Sequence, residues 1–174
     1  EGVTVDYVDP ANLVYSYTDS PYFEDIYYVG ETKQIPINEL IKQFPDLTNE
    51  ELEEISKKNH RNASRYNSRG NYGDDDKNKV EVLYFNYKTY NSEVYKIKQT
   101  PAGGEKAIKK DDSFNPQDNE NFTKEGRKIE VLYEGAMILG SDKLLKWEMS
   151  KNMMRPKSDF TKVKMNYAIV APRM

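Results

Sequence analysis

An α+β fold, with a mainly antiparallel sheet, two short helices placed early and two long ordered loops, is the class this sequence predicts. Two runs of nearly the same wording, K-V-E-V-L-Y at Lys79–Tyr84 and K-I-E-V-L-Y at Lys128–Tyr133, are built from residue types that suit a pleated, half-buried surface. Helical spacing of apolar residues is confined to the stretch between Pro36 and Lys58. Elsewhere Gly, Asn, Asp and Pro separate short apolar runs, as turns separate strands. About five to seven strands are expected on this spacing. The repeated word does not establish a duplicated unit, because nothing around its two copies matches.

Taken in order, Glu1–Val14 alternates Val3, Val5 and Tyr7 before Asp9-Pro10. Proline lacks a ladder donor and disfavours helix just before it, so an edge strand leading into a turn is expected. Ser20–Asp25 reads as a second turn, Ile26–Gly30 as a short strand, and Glu31–Gln34 as a connector. Pro36 suits a first helical position, with Ile37, Leu40, Ile41 and Phe44 at helical spacing before Pro45 stops the segment. A stronger helix start follows. Thr48 and Glu51 make a capping box, with Leu47 and Leu52 placed as its hydrophobic staple. Glu50, Glu51, Glu53 and Glu54 then crowd the first turns and Lys57 and Lys58 come later, the order that suits the helix dipole.

Asn59–Asn78 and Gln99–Arg127 are poor in aliphatic residues and read as the two long loops, the first with one fraying turn of helix at its start. Loops of that length are uncommon in compact domains unless they are functional or disordered, and ordering by neighbouring subunits is expected for these two. Between them, Val80–Thr89 and Val94–Lys98 read as a hairpin turning at Tyr90-Asn91-Ser92-Glu93. Gly135 interrupts the second β-word as a bulge or bend does, and Gly140-Ser141-Asp142 reverses the chain into Leu144–Trp147. Ser150–Ser158 is polar, and Val163–Val170 reads as a closing strand.

Composition narrows the function classes. The 174 residues suffice for one domain with a core, or for a domain with extended arms. With 37% apolar and 32% charged residues and fourteen tyrosines, much of the packing must use amphipathic rings. A net charge of −3 argues against a free-standing nucleic-acid binder that works by phosphate neutralisation. Without cysteine there is no disulfide, thiolate nucleophile or cysteine-held metal. No apolar run approaches a membrane span and the N-terminus lacks signal-peptide character, so a soluble, cytosolic chain is expected. The chain starts at Glu1 and ends just after the apolar Ala168–Ala171, which suggests a piece of a longer protein. The sequons at Asn62 and Asn121 are read as chance in an Asn-rich sequence.

The single histidine, His60, has no Ser or Asp arrangement of a triad around it. Asp74-Asp75-Asp76 with Asn78 starts like a calcium loop, but Lys79 stands where the turn needs glycine and Phe85 where a bidentate Glu is needed. Ala102-Gly103-Gly104-Glu105-Lys106 lacks P-loop spacing. No catalytic, metal or cofactor site is therefore expected. Partner binding has two candidates: the basic strip Lys57, Lys58, Arg61, Arg65 and Arg69, near Tyr66 and Tyr72, and the pair Met153 and Met154 beside Arg155. Trp147, Leu144 and Leu145 read as core.

A family resemblance rests on the order of short motifs. Asp9-Pro10-Ala11-Asn12, Phe23–Gly30 (F-E-D-I-Y-Y-V-G), the helix ending in Phe44-Pro45, the V-x-V-x-Y strand at Val80–Tyr84 and Ile138–Asp142 leading to Trp147 together resemble the middle region of portal proteins of short-tailed phages. The Asn-, Lys- and Tyr-rich wording is most similar to the crAss-like phages. The resemblance implies a single α+β region over residues 1–174, the clip or wing of a portal subunit, and a homo-oligomeric ring, a dodecamer, at one capsid vertex. Its implied partners are the terminase packaging motor, neck or adaptor proteins and capsid protein, with DNA passing through without tight binding. Its implied location is the virion, and the host cytoplasm during assembly. No cofactor and no membrane are implied. Two other readings stand beside it: a carbohydrate- or protein-binding β-rich module displaying tyrosines, and a metal-dependent hydrolase acting through Asp74–Asp76 and Asp111-Asp112.

Overall fold

The structure, a computed structural model, describes residues 4–66, 79–110, 122–141 and 143–171. A 3-10 turn at Pro10–Asn12 is followed by β1 (Leu13–Tyr15), β2 (Tyr28–Pro36), α1 (Ile37–Gln43), α2 (Asn49–Tyr66), β3 (Lys79–Gln99), β4 (Glu105–Lys110), β5 (Phe122–Ile138) and β6 (Leu144–Met149). The class is α+β. The six strands form one sheet in the order β1-β2-β3-β5-β6, with β4 also paired to β3. The β1–β2, β2–β3 and β3–β4 pairs are antiparallel.

Local chemistry explains where the elements begin and where the sequence reading shifts. Asp9 accepts a hydrogen bond from the Ala11 N–H at 2.9 Å and so caps the short turn. The first strand comes after that turn, at Leu13–Tyr15, not before it; Val5 and Tyr7 are exposed and outside any ladder. β2 does not end at Gly30 but runs through the expected connector to Pro36, pairing Lys33 with Val82 and Gln34 with Glu81. β1 pairs only as far as Glu31, so beyond it this polar stretch has no ladder partner from β1. Polar residues are tolerated at such an edge. Pro36 becomes the N-cap of α1 and Phe44 its C-cap.

The capping box of α2 closes as expected. The Thr48 N–H donates to Glu51 Oε2 at 3.0 Å and the Glu51 N–H to Thr48 Oγ1 at 3.3 Å. The helix continues to Tyr66, so Asn59–Tyr66 is helical for longer than the single fraying turn expected there, while 67–78 lies outside the described residues. Further on, the expected hairpin at Tyr90–Glu93 is absent, and β3 runs unbroken for 21 residues. A two-residue hairpin needs positive φ at its turn, and Asn91-Ser92 brings no glycine to supply it. The chain reverses instead at Thr100–Gly104, where Gly103 has φ 81° and the Thr100 N–H donates to the Gly104 carbonyl at 2.7 Å. The second expected loop is thereby replaced in part by β4 and the start of β5. Gly140, at φ 76°, makes the expected reversal into β6. Val163–Val170 forms no strand; Val163 is buried, and among the described residues the one ladder contact there is a single bridge between Met154 and Lys164.

The chain divides into two compact units, the first Glu1–Tyr87, Tyr133–Glu148 and Tyr167–Met174, the second Lys88–Leu132 and Met149–Asn166. The first unit is centred on Ile35, Leu40, Ile55, Val80, Val82, Ala136 and Ile138. Alternate residues of β3 and β5 supply one apolar sheet face, and the helices cover it with Ile37, Phe44, Leu47 and Leu52. Burial pushes the Tyr167 hydroxyl up to about 12, with the Glu31 carboxylate adding to the shift. In the second unit Ile129, Val131, Leu132 and Val163 are buried. The segment after β6 is fastened to β5 there: the Glu130 N–H donates to the Thr161 carbonyl at 2.7 Å, the Val163 N–H to Glu130 Oε2 at 2.9 Å, and the Ser150 N–H to the Leu132 carbonyl at 2.8 Å.

Candidate functional site

The first unit turns an aromatic face of its sheet outward. In the β2–β3 register Tyr28 stands opposite Tyr87, Gly30 opposite Phe85, Thr32 opposite Leu83 and Gln34 opposite Glu81, so these side chains share the face away from Val80 and Val82. Phe85 dominates its middle. A Cβ added at Gly30 would lie 2.7 Å from the Phe85 Cβ, and one added at Gly135 would run into the Phe85 ring. Gly135 is thus a close approach of strand and ring.

The rings meet in sequence across the face. Tyr27 packs edge-on to Tyr28, with centroids 5.1 Å apart, and to Tyr87 at 5.9 Å. Trp147 lies 5.9 Å from Tyr87 and 6.0 Å from Phe85, and it stacks on Tyr133 at 4.9 Å with 9° between the planes. These are the geometries aromatic pairs prefer. Trp147 keeps 45% and Tyr27 49% of its surface exposed, and Leu144 keeps 50%, so the expectation that Trp147 and Leu144 belong to the core is corrected. Leu145 does pack against the core. The alternation of Phe85 with Tyr87, and of Tyr133 with Gly135, was the sequence signal for this face.

At one end of it lies an open groove of about 490 Å³ lined by Asn12, Thr32, Lys33, Gln34, Ile35 and Glu81. It sits along the part of β2 that β1 leaves unpaired. Amides, a hydroxyl, an ammonium and a carboxylate meet there, a mixed polar lining that can take a peptide backbone or hydroxyl-rich ligand.

The residues singled out from the sequence fall in both units. Lys57 pairs with Glu53 at 3.3 Å and Lys58 with Glu54 at 2.7 Å, both one helical turn apart on α2. Arg61 and Arg65 fall within α2, but their side chains, like Arg69 and Asp74–Asp76 as a whole, lie outside the described residues. In the second unit the Met153 thioether accepts a hydrogen bond from the Leu132 N–H at 3.3 Å, and Arg155 donates to the carbonyls of Phe160 and Lys162 at 3.1 and 3.2 Å. Met154 is exposed. Among the described residues no group of three or more His, Asp or Glu is placed to hold a metal ion. Among them, too, no helix is long and apolar enough to cross a membrane. No protein-family model matches the chain, and no curated protein matches it.

Proposed function

We propose that this chain is a structural part of a phage portal subunit, a piece of a homo-oligomeric ring that forms the DNA channel at a capsid vertex and offers docking surface to the packaging motor and neck proteins. The observation that carries this reading is the half-exposed aromatic face beside the β2 edge that β1 leaves unpaired. Aromatic side chains concentrate in protein interfaces, and an open strand edge is a template for another chain. A neighbouring copy that covered both would complete the sheet and bury the rings. The motif order from Asp9-Pro10 to Trp147 supports the same reading. Electron microscopy of the full-length protein tests it: closed rings with an axial channel are expected, and a protein that stays monomeric at all concentrations overturns it.

The exposed Trp147 and Tyr27 rings also favour a second reading, a carbohydrate-binding module, since flat aromatic surfaces beside amide and carboxylate groups suit sugar rings. A glycan array separates the two, because saturable binding lost in Trp147→Ala belongs to the second reading alone.

A further inference from the structure

The first unit's sheet has an edge that its own chain stops short of completing. β1 pairs with β2 from Leu13–Glu31 to Tyr15–Val29, and the Ser16 N–H donates to the Tyr28 carbonyl at 3.0 Å. Bonded positions alternate along an antiparallel ladder, so Tyr28, Gly30, Thr32 and Gln34 turn their backbone groups toward the β1 side. Beyond Glu31 that side has no strand, since among the described residues the neighbours of β2 in the sheet are β1 and β3. The N–H and C=O groups of Thr32 and Gln34 therefore open into the groove of about 490 Å³ that both residues line.

The turn at Pro10–Asn12 explains why β1 goes no further. Carried on in the same register, the chain would set Asn12 opposite Thr32 and Pro10 opposite Gln34. Pro10 has no N–H, and the Asn12 N–H is taken by the Asp9 carbonyl at 2.9 Å, so neither can donate to β2. The usual guards of an edge leave this one open: the Lys33 ammonium is held by Glu31 at 2.8 Å, and Pro36 lies at the far end of the strand. On the other side of the turn, residues 4–8 (T-V-D-Y-V) alternate Val5 with Tyr7 and belong to no strand, with 93% of Val5 and 86% of Tyr7 exposed. One unit thus holds an open edge and a β-type segment without a ladder, and within one copy the two are not paired.

We propose that residues 4–8 of a second copy add to this edge as an antiparallel strand, with Val8 opposite Thr32 and Asp6 opposite Gln34. Backbone bonds then form at the two positions of β2 that offer them. The same register sets Val5 opposite Ile35, the one buried residue of this stretch of β2, and Tyr7 opposite Lys33, whose aliphatic stem the ring covers. A slip of one residue would set Val5 opposite Gln34 and Asp6 opposite Lys33, whose charge Glu31 already matches. A second copy is favoured over an unrelated peptide because one contact then covers the exposed Val5 and Tyr7 of one molecule and the open edge of the other. The two patches are distinct, so copies meet head to tail, the arrangement that closes into a ring. The inference rests on the ring reading for bringing copies together and adds to it the segment that seals the edge.

Disulfide trapping tests it, since the 174 residues contain no cysteine. Residues of a bonded antiparallel pair have Cα atoms about 5.5 Å apart, within disulfide reach. Asp6→Cys and Gln34→Cys, both at exposed positions, are made in separate preparations of the full-length protein, mixed and oxidised. A disulfide between the two different chains is expected, and none when Asp6→Cys is mixed with Glu53→Cys. Val5→Lys with Tyr7→Lys, added to the Asp6→Cys chain, is expected to weaken the trapping on the order of tenfold and to leave the melt of the unassembled chain unchanged. Closed rings without a disulfide between positions 6 and 34 overturn the inference and leave the ring reading standing. That disulfide in an assembly without closed rings supports the inference and overturns the ring reading, and a protein that neither assembles nor crosslinks overturns both. Equal trapping by Glu53→Cys, trapping only within a single chain that carries both cysteines, or trapping untouched by Val5→Lys with Tyr7→Lys also overturns the inference.

Discussion

Gly135 has no room for a side chain, because the Phe85 ring lies where its Cβ would be. Gly135→Ala is expected to destabilise the chain by about 1–3 kcal/mol, the usual cost of overpacking. Adding Phe85→Leu to it should recover part of that loss, so urea melts of the two single variants and the double variant are expected to be non-additive. At the start of α2, Thr48→Ala removes the side-chain acceptor of the Glu51 N–H and is expected to cost about 1 kcal/mol, read as a lower denaturant midpoint. The same box is sensitive to acid. Its hydrogen bonds with Lys143 and Thr48 hold the Glu51 carboxyl below its ordinary 4.5. A carboxyl with a lowered folded-state value contributes stability that is present above 4.5 and lost as pH falls through that lowered value. Glu51→Gln should therefore be less stable than the parent near neutral pH and show a shallower acid limb in a pH series of melts.

Among the elements, the β3–β4 hairpin shows most directly what a turn requires. Nothing lies within 4 Å of a Cβ built on Gly103, so a substitution there meets backbone strain at φ 81° and no steric clash. Gly103→Val is expected to cost on the order of 1–3 kcal/mol, and Gly103→Asn clearly less, since Asn tolerates the left-handed region. Equal midpoints for the two variants in denaturant melts would remove this account of the turn. The reversal sits at Gly103 and not at Tyr90–Glu93 because glycine takes positive φ at no steric cost, whereas Asn91 only tolerates it and Ser92 does not favour it. The glycine was visible in the sequence, but so was the Asn-Ser pair, and reading the second as a turn cut one long strand in two.

For the whole molecule, the only tryptophan is also the central ring of the outward aromatic face. Trp147 fluorescence therefore reports on that face without labelling. In the isolated chain its emission is expected at long wavelength and open to iodide quenching, as its 45% exposure requires. On assembly of the full-length protein it should shift to shorter wavelength and lose the quenching. An unchanged spectrum in the assembled state would mean that the aromatic face is not where copies meet, and the proposed interface would have to lie elsewhere.

The sequence alone determined what depends on near neighbours along the chain. The Thr48–Glu51 capping box, the Gly140 reversal, the helix from Ile37 and the β-character of Lys79–Tyr84 and Lys128–Tyr133 follow from spacing and residue type within a few positions, and the structure contains each of them. Strand length and facing were decided only by tertiary pairing. Polar stretches such as Glu31–Gln34 and Glu105–Lys110 become strands because β3 offers them a ladder, although neither has apolar alternation of its own. Val163–Val170 has the β-character but forms only the isolated Met154–Lys164 bridge among the described residues, and no strand. Trp147 looked like core because it is large and apolar, but it stands outside because its strand turns it toward Tyr133 and Phe85, on the face that the helices do not cover. The pairing of Lys98 with Lys106 was hidden for the same reason: which residues stand side by side is set by register across strands, and register is a property of the sheet, not of the segment.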